Sequence, residues 1–163
     1  VKLVSARKRV QFDWIPSVWA LYLFTAHLQY WWAIYELSSM RDVWTLGLFL
    51  AFVFVAVMLF VSSYFILPSI GEGFVDMSEE FEQNGRLALL VISTYALLSH
   101  FVNVAYWGAE VVSLSQIPFL SLAVLPIVAF FSKSRKTLAI VTILFFVIAQ
   151  YLNYELSPLY YAG

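Results

Sequence analysis

Trp44–Leu67 reads WTLGLFLAFVFVAVMLFVSSYFIL and carries no charged side chain. At a rise of ~1.5 Å per residue, a stretch of this length crosses the ~30 Å hydrocarbon core of a bilayer as a helix. Four more apolar stretches flank it, at 14–37, 86–108, 115–131 and 137–153. The last two are only just long enough. The expected fold is all-α: a polytopic membrane protein, residues 1–163 forming one transmembrane domain of five helices.

Composition points the same way. Charged residues are 12% of the chain, about half the ~25% of soluble domains. There is no cysteine, which excludes disulfides, thiolate metal sites and covalent c-type haem attachment. Arg7-Lys8-Arg9 runs directly into a full-length apolar span, unlike the short apolar region and cleavage site of a signal peptide. Val1–Val4 is compatible with the tail of an earlier helix.

Charge sets the expected orientation. With five spans and a cytoplasmic N-terminus, Lys2, Arg7, Lys8, Arg9, Arg86, Lys133, Arg135 and Lys136 fall inside and only Arg41 falls outside, as the positive-inside rule requires. The C-terminus is then outside, in a membrane such as a bacterial inner membrane. These basic residues orient the chain in lipid and do not form a nucleic-acid patch.

The connector 68–85 is the main polar segment. Pro68 and Gly71 end the second span. Asp76 followed by Glu79 resembles a capping box. Phe74, Met77 and Phe81 recur at helical spacing, so a short amphipathic surface helix is expected near 74–84. Its acids read either as a solvated connector or as a docking surface for a basic partner. Trp14, Trp19, Tyr30, Trp31, Trp32, Tyr35, Trp44, Tyr64, Tyr106, Trp107, Tyr151, Tyr154, Tyr160 and Tyr161 lie mostly near span ends, as interfacial belts do. Pro118 fits the first turn of span four, while Pro126 removes a backbone hydrogen bond within it.

Function should show in the polar residues inside the spans, because burying them in lipid is costly. Thr25, Gln29, Trp32 and Glu36 share one face of span one, and His100, Asn103, Trp107 and Glu110 share one face of span three. Gln150 and Asn153 add to them from span five. All fall in the outer half of the proposed topology. Tyr22…His27 and Tyr95…His100 also form a faint internal echo, offset by 73 residues.

Three readings of the outer cluster remain open. It packs helices through hydrogen bonds in a non-enzymatic subunit of a homo- or hetero-oligomeric membrane complex. Or it lines a small cavity for a ligand, ion or lipid in a transporter- or channel-like protein. Or the chain carries electrons through quinone or a b-type haem held by His27 and His100. Against haem, His27 lies about 200° around span one from Gln29, and its neighbours are bulky. No HExxH, GxSxG or Walker pattern is present, so no catalytic residue and no metal site is assigned.

Overall fold

A computed structural model of the chain describes residues 10–40, 45–67, 75–107, 113 and 116–155, the side chains of 36–40 and 105–107 excepted. The architecture is helical. Helix α1 is Trp14–Met40 and α2 is Leu46–Ile66. Helix α3 is one continuous rod: Met77–Glu80 is α-helical, Phe81–Gly85 is a π-helical turn, and Arg86–Trp107 is α-helical again. Helices α4 and α5 are Ile117–Phe131 and Arg135–Glu155.

Local sequence explains where they begin. Asp13 accepts a hydrogen bond from the Ile15 amide at 3.0 Å, and the Thr45 hydroxyl accepts one from Leu48 at 3.3 Å. Asp76 caps α3 by accepting from Ser78 and Glu79. Ser134 caps α5 through Thr137. Each side-chain oxygen satisfies an amide that the first helical turn leaves without a partner. Pro118 sits in the first turn of α4, as its fixed φ favours.

Three helices, Leu46–Ile66, Met77–Val104 and Arg135–Glu155, are long and apolar enough to cross a membrane. Five spans are thus not all met. Helix α4 is apolar but has 15 residues, about 22 Å against the ~30 Å hydrocarbon core. Helix α1 has the length, but Trp, Tyr, His and Gln side chains lower its apolarity. The surface helix expected near 74–84 is corrected too. Its described part is not separate but forms the first turns of α3. Half of the capping box forms, because Glu79 accepts from Gln83 rather than reaching back. The π turn absorbs the junction. Gly85 is needed there, since a Cβ would stand 2.7 Å from Cδ2 of the buried Phe81 ring.

Each helix packs on its neighbours in sequence, and α5 closes back on α1. The closing seam is parallel: Asp13 meets Arg135, Trp19 meets Thr142, and Thr25 meets Gln150. A two-residue parallel ladder, β1 (Val10–Gln11) with β2 (Val75–Asp76), joins the segments leading into α1 and α3. It was not foreseen in the sequence.

At this end of the bundle, charges staple four helices. Arg135 grips Asp13 through both carboxylate oxygens at 3.0 Å and donates to the Ser78 hydroxyl. Arg86 donates to the carbonyls of Ala129, Phe130 and Ser132 at 3.3, 2.7 and 2.7 Å, where the C-terminus of α4 presents unsatisfied acceptors and negative potential. Glu82 holds the same guanidinium from the preceding turn. Burial pushes the Asp13 pKa up, but Arg135 and the Ile15 amide outweigh it and hold the carboxyl below the usual 3.8.

Above this staple the core is largely apolar. Trp19, Phe145, Ile15, Leu23, Leu59, Leu89 and Ile92 are fully buried. The Trp19 and Phe145 rings lie 4.5 Å apart, and Tyr22 meets Phe145 edge-on at 4.6 Å. Trp19 and Tyr30 are therefore core residues, not interfacial anchors; Trp31, Tyr35, Tyr64, Tyr151 and Tyr154 are exposed, as a belt requires. The outer faces carry Phe24, Phe49, Phe60, Phe101, Ile140 and Val147, while Ser62, Ser93, His100 and Thr142 are buried. In water such an apolar perimeter would aggregate; in lipid it is a matched surface.

Two tests follow from this packing. Thr142→Val keeps the shape but leaves the buried Trp19 indole N–H without its acceptor, and is expected to cost about 1–2 kcal/mol; unfolding in detergent measures it, and wild-type stability would show that the bond contributes nothing. The second is acid sensitivity. A lowered folded pKa gives stability that is fully present above the unfolded value of ~3.9 and lost as pH falls through the folded value. Arg135→Gln leaves burial as the dominant influence on Asp13, so the acid limb should move to higher pH; an unmoved limb would refute the pairing.

Candidate functional site

A cavity of about 90 Å³ lies between α1, α3, α4 and α5. It sits away from the Arg135 staple, beside the middle of α1 and the C-terminal parts of α3 and α5. Tyr22, Ala26 and Gln29 face it from α1, and Tyr95, Ala96, Ser99, His100 and Asn103 from α3. Phe119 and Leu122 close it from α4, and Ala149, Leu152 and Asn153 from α5.

Helical period explains the lining. Residues 22, 26 and 29 recur on one face of α1, and 96, 99, 100 and 103 on one face of α3. The two faces are built alike, each carrying a tyrosine, a small residue one turn on, and an amide one turn further. Ala26, Ala96 and Ala149 supply the room, since larger side chains there would meet in the middle. Tyr95 and Ser99 both face the cavity, and His100 is buried. Ser93 ties α3 to α4 just below, donating to the Ala123 carbonyl at 2.6 Å.

The sequence-expected residues divide. Gln29, His100, Asn103 and Asn153 converge on the cavity. Gln150 turns to the α1–α5 seam, donating to the Thr25 hydroxyl at 3.1 Å. Trp32 is half-buried against Tyr35, outside the cavity lining. The side chains of Glu36 and Trp107, and the whole of Glu110, lie outside the described residues. His27 does not join His100. Its Nδ1–H donates to the Leu23 carbonyl at 2.7 Å, and its ring packs on Phe60 of α2 at 5.1 Å. One haem between these two histidines is not what this geometry offers.

No family model, curated protein or solved structure matches the chain. The site has to be read from its own chemistry.

That chemistry is neutral and mixed. Amides from Gln29, Asn103 and Asn153, hydroxyls from Tyr22, Tyr95 and Ser99, and the His100 imidazole supply both donors and acceptors. Among the described residues, no Lys, Arg, Asp or Glu lines the cavity, and no three His, Asp or Glu side chains gather to hold a metal ion. Its volume is smaller than the ~150 Å³ cavity that takes benzene, and room for about three waters at ~30 Å³ each. It is far below the ~300–1,000 Å³ of sites that enclose larger ligands.

Sequence reading missed Tyr22, Tyr95, Ser99 and the three alanines. The tyrosines were visible in the Tyr…His echo, and the alanines at one-turn spacing from polar residues. What no pattern along the chain revealed is that Phe119 and Leu122 of α4 supply the apolar wall.

Proposed function

We propose that this chain is a small, non-enzymatic membrane protein of five spans that binds a small ligand in the cavity of its outer half. One observation carries the reading: Gln29, His100, Asn103 and Asn153 reach one cavity from three helices, while the opposite half is packed with apolar side chains. Interhelical hydrogen bonding alone does not call for a space between the partners. The proposal places it in the transporter- or channel-like class and assigns no chemical step.

The orientation belongs to the same proposal. Arg86 and Arg135 lie at one end of the bundle with the α4–α5 turn that carries Lys133. The positive-inside rule puts that end in the cytoplasm and the cavity toward the outer face. Residence in a bacterial inner membrane fits this pattern. Self-association or assembly with other membrane proteins would use the exposed apolar perimeter, which lipid serves equally well.

Two experiments test this. The chain lacks cysteine, so single cysteines can report topology: Ser134→Cys should label only from the cytoplasmic side and Ser157→Cys only from outside, and labelling from the same side would remove the five-span reading. Native mass spectrometry of gently extracted protein should show a retained small-molecule mass. Ala149→Leu, which fills the cavity, should lose it, and Gln150→Leu, which acts at the seam, should keep it. A mass retained equally by both variants, or no retained mass, would sink the proposed site.

A further inference from the structure

Resting on that reading of the cavity, we infer that the first turns of α4, residues 117–122, are its door. They swing about Pro126 to admit and release the ligand.

Helix α4 is tied to its neighbours in one half only. Its buried residues are Ala123, Pro126 and Ala129. The Ala123 carbonyl accepts from Ser93 of α3 at 2.6 Å. The carbonyls of Ala129, Phe130 and Ser132, at the other end of this half, accept from Arg86. By contrast, none of residues 117–122 is buried. The Ser121 hydroxyl bonds within its own helix, donating to the Pro118 carbonyl at 2.6 Å. Among the described residues, no hydrogen bond joins 117–122 to another helix. A segment with so little burial and so few ties opens at the least cost.

Pro126 lies at the boundary between the two halves. It has no N–H, so the Leu122 carbonyl lacks the donor that an ordinary residue four positions on would supply, and the proline ring crowds that carbonyl. Proline also disfavours helical backbone at the residue before it, here Leu125. The ladder is therefore weakest where the loose half joins the tied one, and helices bend at such positions. The Ser93 bond holds Ala123, three residues from Pro126, which confines the motion to the turns before it.

Those turns carry the wall. Phe119 and Leu122 line the cavity, and no later residue of α4 does. The walls from α1 and α5 are joined to each other by Thr25 and Gln150. Swinging 117–122 away takes Phe119 and Leu122 with it. The space opens while the α1–α5 seam and the Arg86 staple stay whole, the behaviour of a hinge in which a few residues absorb the change.

The chain lacks cysteine, so one introduced thiol reports the opening. The whole protein in lipid nanodiscs carries Ala96→Cys, in the cavity lining, and its modification by methyl methanethiosulfonate is timed by mass spectrometry. Pro126→Ala should slow it about fivefold, the effect of one restored backbone hydrogen bond on an opening equilibrium. Ser93→Ala, which unties α4 beside the hinge, should speed it by about the same factor. Adding Phe119→Ala to Pro126→Ala should restore the faster rate. Thr25→Cys, at the α1–α5 seam, should react equally with and without Pro126→Ala. If Pro126→Ala leaves the Ala96→Cys rate unchanged or slows both cysteines alike, or if Ser93→Ala changes nothing, the hinge is wrong while the cavity stands. If Ala96→Cys stays unmodified even with Phe119→Ala, the reagent finds no space there, and the cavity falls with the hinge.

Discussion

Trp19 donates to Thr142 across 123 residues of chain, and this contact, with its neighbours above and below, makes the bundle a ring. Helices α1 to α5 are joined in order, so each has its next neighbour at hand. Nothing along the chain brings α5 to α1. That seam must repay the closure of nearly the whole chain. It does so by a ladder of unlike contacts: an ion pair at Asp13–Arg135, the indole–hydroxyl bond in the middle, and Thr25–Gln150 near the cavity. Because α1 and α5 run parallel with Thr25 beside Gln150, Gln29 in the middle of α1 and Asn153 near the end of α5 come to the same level.

The seam also explains why one half of the bundle is solid and the other hollow. Around Trp19, large rings fill the middle: Trp19 and Tyr22 both pack on Phe145, at 4.5 and 4.6 Å between ring centres. Two turns on, the inward positions are Ala26, Ala96 and Ala149. The helices do not collapse onto the smaller side chains, because the Arg135 and Arg86 staples and the Ser93–Ala123 bond fix their spacing from the other end. Hydrogen-bonding groups then line a space that packing alone would have closed, and this gives the cavity its mixed character.

Among the described residues, the ion pairs lie at one end of the bundle. Asp13 is nearly buried, yet it stays ionised because Arg135 binds both of its oxygens. Arg86 completes the end of α4, meeting the carbonyls of Ala129, Phe130 and Ser132, the first of which also accepts from the Ser132 amide.

The sequence by itself determined the class of structure, because a run such as Leu46–Ile66 has no alternative to a helix once it is out of water. Part of the cavity lining was legible there too: Gln29, His100, Asn103 and Asn153 stand out as polar residues at helical spacing in apolar stretches, where their cost marks them. Tertiary structure alone decided which way each helix turns its faces. Two residues apart on α1, His27 goes to Phe60 and Gln29 to the cavity, and Gln150 and Asn153 part in the same way on α5. Helical period gives the angle between such residues but not its origin. That origin is set by the seam with α5 and by packing against α2, which are contacts between segments far apart in the chain.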